Sequence, residues 1–373
     1  MINKTPNNAI FITNIEINPY GDGIAKKILS QVDALRKLGY AVDLAHLENR
    51  NMLLNESTGQ KNKIYLPIRY LFFKSLSDYI NKKNIKYSLA YIRNPHGGLY
   101  PLFFLPILKT LRSQGTKIII DVPNYPYDQE LTTRWEKTSL LCHKAMRKHI
   151  RNYVDLISYT GKRTQEIWGV KAVQIYNSCD PKDIPRPTQD RRTPGSIRFI
   201  GVANLAPWHG YDRLIHGIHD YYLSGGNQLI EFHIAGNSEP TFSFLKNLAK
   251  KLGIHEKIIF HGKLDGKDLN CLFDNNAVGV DALGRHRSGN NYNDSIKSKE
   301  YTFRGIPFIK SHADDSFLEA DFAIDVPANE DPIDIRSVIL KLNSIKSSPL
   351  EITNFGMAHF RWEEQIAKLL ADY

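Results

Sequence analysis

The sequence predicts an α/β fold made of two Rossmann-like halves, each a parallel sheet with helices on both faces, facing each other across a cleft. Three observations carry this reading. Short apolar runs alternate with helix-period segments along most of the chain. Those runs are rich in β-branched residues, as suits strands buried on both faces. A polar, Pro-rich stretch near residue 185 interrupts the alternation, which then restarts.

In the first half, Ala9-Ile10-Phe11-Ile12-Thr13-Asn14-Ile15 reads as a buried strand. Gly21-Asp22-Gly23 follows in a polar loop. Ile24, Ile28, Val32 and Leu35 then repeat at helical spacing up to Gly39, and residues 41–45 form a second strand. The loop lacks a complete Gly-x-Gly-x-x-Gly, so it lends a nicotinamide or flavin site little support. Its glycines equally serve a tight turn without any ligand. Further strands are predicted at residues 88–92, 117–122, 155–159 and 172–176. Arg93-Asn94-Pro95-His96-Gly97-Gly98 and Pro123-Asn124-Tyr125-Pro126-Tyr127 follow strand ends, where such sheets bind ligands.

The polar stretch sets the boundaries: a first domain over residues 1–180, a linker over 181–195 and a second domain over 196–350. In the second domain, strands are predicted at 197–202, 230–234, 257–260 and 277–280. His209-Gly210-Tyr211-Asp212 opens a helix through Leu214, Ile215 and Ile218. Residues 351–373 are expected to be a C-terminal helix packing back on the first domain.

Composition narrows the classes. Of 373 residues, 42% are hydrophobic and 24% charged, which fits packed domains and not a disordered chain. Cys142, Cys179 and Cys271 lie far apart, fit no metal spacing and favour a reducing compartment. The start of the chain shows no signal-peptide pattern, and the apolar run at residues 99–108 is too short to span a bilayer. Residues 1–180 hold 26 Lys+Arg against 14 Asp+Glu, leaving 23 against 25 in residues 181–373. The basic half should therefore approach something anionic. The stretch 135–151 mixes Lys137, His143, Lys144, Arg147, Lys148, His149 and Arg151 with apolar residues. It fits an interfacial helix on anionic lipid or a solvated basic face.

The chemistry points to residues 293–309. Asp294 or Ser295 can cap a helix, Gly305 suits its left-handed end, and Pro307 follows. A helix start with free N–H groups and nearby Lys297 and Lys299 is an anion site, and Glu300 lies within reach of hydroxyls on the same ligand. A diphosphate attached to a ribose has that layout; a capped surface helix in solvent fits it too.

Set together, Val202-Ala203-Asn204-Leu205-Ala206-Pro207-Trp208-His209-Gly210-Tyr211-Asp212-Arg213, then Phe260-His261-Gly262-Lys263, then residues 295–307, resemble retaining nucleotide-sugar glycosyltransferases of the glycosyltransferase B fold. The likeness is to the family 4 type, of bacterial polysaccharide biosynthesis. Pro123-Asn124-Tyr125-Pro126-Tyr127-Asp128 and Asn177-Ser178-Cys179-Asp180 add to the likeness. The resemblance implies that Glu300 binds ribose hydroxyls. Ser295, Ile296, Lys297 and Lys299 would hold the diphosphate, with Lys297 first among them. Gly262 and Lys263 would flank a base, uridine by preference. The family's first glutamate falls on Tyr292, and its usual cationic positions fall on Asn204 and His209. Asp22 would orient a hydroxyl beside Gly23, where the backbone nears the cleft. His96 would position donor sugar or acceptor; a lone His also fits a structural role.

The resemblance further implies a glycan or lipid-linked glycan acceptor held by the first domain. The expected setting is cytoplasmic, with peripheral contact at the inner face of the plasma membrane. No metal and no nucleic acid are expected. A 2-epimerase of the same fold and a non-catalytic nucleotide- or glycan-binding protein are the alternatives.

Overall fold

The computed structural model describes residues 7–17, 23–95, 98–126, 134–185, 195–264, 266–273, 277–289 and 291–372. The chain divides into two units. One comprises residues 1–176 with 362–373, and the other residues 177–361.

The first unit begins β1 (Asn7–Glu16), α1 (Gly23–Lys37) and β2 (Tyr40–Glu48). Next come β3 (Asn51–Asn55), β4 (Lys61–Tyr65), α2 (Phe72–Lys83) and β5 (Leu89–Arg93). It continues with α3 (Leu105–Ser113), β6 (Lys117–Tyr125), α4 (Arg134–Ile150), β7 (Leu156–Gly161), β8 (Glu166–Ile167) and β9 (Val170–Gln174). The sheet order is β4-β3-β2-β1-β5-β6-β7-β9-β8. The pairings β2 to β1, β1 to β5, β5 to β6, β6 to β7 and β7 to β9 are parallel. The edge pairs β2/β3, β3/β4 and β8/β9 are antiparallel. The sequence reading missed β3 and β4: Lys61-Asn62-Lys63 carries the polar signature of an exposed edge, not of a buried strand.

β1 shows why this sheet is covered twice. Ile10 and Ile12 join the core cluster with α2 and α3, while Ala9 and Phe11 join the cluster on the opposite face with Ile28, Val32 and Leu35 of α1. The buried Ile, Phe, Val and Leu side chains among these are worth about 2 kcal/mol apiece.

The second unit holds β10 (Ser196–Val202), α5 (Tyr211–Leu223), β11 (Leu229–Ala235), α6 (Thr241–Lys251) and β12 (Ile258–Gly262). Then come α7 (Gly266–Cys271), β13 (Ala277–Val280), α8 (Ile296–Phe303), β14 (Phe308–Lys310) and β15 (Ala323–Asp325). Helices α9 (Ile335–Ser344) and α10 (Pro349–His359) close it. The order β12-β11-β10-β13-β14-β15 is parallel throughout. α5, α6 and α9 bury Leu214, Ile218, Leu245 and Val338 on one face. α8 covers the other: a Cβ on Gly279 would stand 2.3 Å from the Tyr301 ring, so only glycine lets this helix seat there.

The tail differs from the expected single helix over 351–373. α10 ends at His359 and belongs to the second unit, where Thr353 Oγ1 donates to Phe303 O at 3.3 Å. Only α11 (Trp362–Ala371) joins the first unit, where Ile366 and Leu369 pack with Phe11 and Val32. The chain passes between units at residues 176–177 and 361–362, whereas the Pro-rich composition puts the linker at 181–195. Asn177 is already bonded within the second unit, donating its N–H to Asp294 Oδ2 at 2.5 Å.

Candidate functional site

The strand order of the second sheet reverses at β10. β11 and β12 lie to one side of it, β13 to β15 to the other. Such a switch point opens a crevice at the carboxyl ends of the two central strands. Those ends lead into the loop before α5 and the segment before α8.

Asp281 directly follows β13 and organises this place. It is fully buried. Its carboxylate accepts from Ser295 Oγ at 2.9 Å, from Ser298 Oγ, and from the Ala282 N–H at 2.7 Å. Lys297 Nζ stands 3.3 Å from Oδ1, and His312 Nε2 stands 3.7 Å from Oδ2. Burial pushes the Asp281 pKa up, but Lys297, His312 and the two serines outweigh it and hold the group well below the usual carboxylate range.

Ser295 therefore caps α8 with its backbone alone. It is extended (φ −81°, ψ 131°), makes no side-chain cap bond and spends its hydroxyl on Asp281. The first N–H groups of α8, from Ile296 onward, lack a side-chain cap and suit an anion. Lys297 is partly exposed beside them.

Lys299 is corrected by its surroundings. It was expected to join Lys297 at the anion, but it is fully buried. Its ammonium lies 2.6 Å from Asp294 and 2.8 Å from Asp314, donates to Ser316 Oγ at 2.8 Å, and sits 4.6 Å from the Phe317 ring centroid. Burial alone would lower its pKa; the two carboxylates more than offset that and keep it charged. Helix geometry explains the difference: residues two apart point about 200° apart, so Lys297 and Lys299 face opposite ways.

Glu300 is half-buried, and Arg304 grips its Oε1 with Nε at 3.1 Å and Nη2 at 2.6 Å. Arg304 in turn stacks on Phe273 at 4.1 Å, so the carboxylate is oriented. His209 ends a short 3-10 segment after β10, and its Nδ1 accepts from the Ala206 N–H at 3.1 Å. Burial, then the Lys297 charge, push its pKa down to about 3, so the ring is neutral. Asn204 is exposed on the same loop. Gly262 ends β12 at φ +70°, and its carbonyl accepts from the Gly236 N–H at 2.7 Å; Lys263 beyond it is exposed. Tyr292, at the missing glutamate position, bridges Ala313. Gly23 is the exposed first residue of α1. Asp22 and His96 lie outside the described residues.

Sequence reasoning missed Asp281. Its signal was an acidic residue immediately after four apolar or small strand residues, the place where a parallel sheet presents its crevice. One side of α4 packs into the fold: His143, Met146 and Ile150 are buried, and Ser139 Oγ donates to Gly98 O at 2.8 Å. Lys137, Lys144 and Lys148 face outward with Leu141. Among the described residues, no helix is long and apolar enough to cross a membrane.

No protein-family model matches the chain, and no curated protein matches it. Solved structures do. A sucrose-phosphate synthase from Thermosynechococcus elongatus aligns over 98% of this chain and 98% of its own, with TM-score 0.61 and 15% identity. A glycosyltransferase from Rickettsia africae aligns over 99% and 98%, with TM-score 0.64 and 11% identity. A putative UDP-N-acetylglucosamine 2-epimerase from Listeria monocytogenes aligns over 99% and 96%, with TM-score 0.54 and 11% identity. At such identities the likeness shows the fold. It is the two-domain α/β architecture of the glycosyltransferase B fold, as the sequence predicts.

Proposed function

We propose that this chain is a retaining glycosyltransferase. It would move a sugar, a hexose by type, from a uridine-linked nucleotide-sugar donor to a glycan or lipid-linked glycan in cell-surface polysaccharide biosynthesis. The observation that supports this most is the start of α8. There, uncapped N–H groups, Lys297 and the oriented Glu300 follow one another at the switch point of a glycosyltransferase B fold.

The chemistry follows from charge. Breaking a sugar–phosphate bond builds negative charge on the departing diphosphate. Lys297 and the α8 N–H groups are fixed beforehand and stabilise that charge without reorganising. Glu300 takes the ribose hydroxyls with a carboxylate already aimed by Arg304. In a same-face transfer, the departing phosphate accepts the acceptor's proton, so no protein carboxylate pair is required at glycosidase spacing. Charge neutralisation is assigned to these groups and not to a metal. The acceptor is assigned to the basic first unit, with Asp22 and His96 as its expected polar residues, at a cytoplasmic membrane face.

The epimerase among the similar structures supports a second reading, a nucleotide-sugar 2-epimerase. A thermal-shift panel of nucleoside diphosphates and their sugars tests the donor first, since a ligand of the native state raises its melting point. Donor consumption with nucleoside diphosphate release then supports transfer. An epimeric nucleotide sugar as product supports the second reading. Absence of any shift across the panel overturns both.

A further inference from the structure

The segment Asn177-Ser178-Cys179-Asp180 opens the second unit, and its first residue meets the start of α8, 117 positions further on. Asn177 Nδ2 donates to Asp294 O at 2.7 Å, and the Asn177 N–H donates to Asp294 Oδ2 at 2.5 Å. Asp294 is buried and directly precedes Ser295, the N-cap of α8. One residue thus grips Asp294 by both its carbonyl and its carboxylate.

A helix start aims its free N–H groups only as well as the peptide before it is held. Ser295 spends its hydroxyl on Asp281 and leaves the first N–H groups of α8 without a side-chain cap. Lys299 also holds Asp294, at 2.6 Å, but it does so through the carboxylate, which turns about its own side-chain torsions. The Asp294 carbonyl is different. It belongs to the planar Asp294–Ser295 peptide, so fixing the oxygen fixes the plane that leads into the helix. The Asn177 amide makes that bond. Asn177 is itself fixed from upstream: within the first unit, the preceding Tyr176 donates its N–H to Gln365 Oε1 at 2.6 Å, and its carbonyl accepts from Gln365 Nε2 at 3.1 Å. A side chain on a held backbone can hold its partner in turn.

We propose that Asn177 is a positioning residue for the diphosphate, acting through the Asp294 carbonyl to aim the first N–H groups of α8. This rests on the nucleotide-sugar reading above. Its part is pre-organisation: donors already aimed at the departing phosphate need not reorganise when charge develops there.

Calorimetry with uridine diphosphate and with uridine tests it, on the full chain and its variants, each with a melting curve. Asn177→Ala removes the bond to Asp294 O. It should weaken uridine diphosphate about 3- to 10-fold, the scale of one hydrogen bond between uncharged groups, and leave uridine unchanged. Asn177→Asp has the same shape but sets a carboxylate against that carbonyl, and should weaken uridine diphosphate further. Asn177→Ser keeps a short donor and should fall between wild type and Asn177→Ala; it answers the same question should Asn177→Ala fail to fold. Wild-type uridine diphosphate affinity in folded Asn177→Ala and Asn177→Asp overturns the assignment while leaving the nucleotide reading in place. Equal weakening of uridine and uridine diphosphate overturns it too, since that marks a general loss of structure. Failure of wild type to bind any nucleoside diphosphate overturns the nucleotide reading, and this assignment with it.

Discussion

Lys297 Nζ stands 3.3 Å from Asp281 Oδ1, a partly exposed cation against a carboxylate with no exposure at all. The aspartate cannot reach a ligand, so its part is to hold the lysine at the mouth of α8. Lys297→Ala should therefore remove a prepositioned charge from the leaving group. Turnover is expected to fall about 10²-fold or more, the scale of one lost transition-state donor. Wild-type kcat in that variant would move the reaction away from α8.

Asp281 makes a different prediction, one about stability and pH. Its folded pKa is depressed, so its contribution is fully present above the unfolded value of about 3.9 and is lost as pH falls through the folded value. Asp281→Asn keeps the shape but leaves Lys297, Ser295 and Ser298 without their charged acceptor. At pH 7 it should cost about 3–5 kcal/mol, as for breaking a buried pair from one side. Urea unfolding should show the gap to wild type narrowing below about pH 4. A gap that stays constant down to pH 3 would show that the charge is not what matters.

Glu300→Ala should weaken uridine diphosphate binding about 10-fold or more, since hydrogen bonds to a charged acceptor carry about 1.5–3 kcal/mol. Arg304 would lose its partner at 2.6 Å, so a melting curve must accompany the titration. Unchanged affinity in a folded variant rejects the ribose role.

On the first unit, the outward face of α4 carries several lysines and little apolar surface beyond Leu141, because Met146 and Ile150 are buried. Binding to anionic vesicles should then be electrostatic and fade with salt. Lys144→Glu with Lys148→Glu should shift the protein from vesicle pellet to supernatant in sedimentation. Salt-insensitive binding by the double variant would point to another surface.

Much of the fold was legible because buried parallel strands are near-continuous apolar runs: Phe199-Ile200 and Val278-Gly279-Val280 announce themselves. The hairpin β3–β4 did not, since an edge strand alternates with solvent and Lys61 and Lys63 read as loop. At the site, Lys297 and Glu300 were visible from their spacing after a helix start. Asp281 was not, because its partners Ser295, Ser298 and His312 are remote in sequence and meet it only across strand ends. Lys299 misled for the opposite reason. Its sequence neighbourhood matched an anion site, while its burial depends on Asp314 and Phe317, which only the fold brings near.

That buried lysine yields the sharpest separation of structure from binding. Lys299→Met leaves Asp294 and Asp314 both buried without their cation, and should destabilise by about 3–5 kcal/mol. Neutralising all three, as Lys299→Met with Asp294→Asn and Asp314→Asn, should recover most of that, because replacing a whole buried ionic cluster costs far less than orphaning part of it. The triple variant keeps Lys297 and Asp281 as they are, on the far side of α8 from Lys299. It should therefore bind uridine diphosphate within about 2-fold of wild type, given that Lys299 points about 200° away from Lys297 around the helix. A stable triple variant with a ten-fold weaker affinity would return Lys299 to the ligand, and would show that its aspartates release it when the anion arrives.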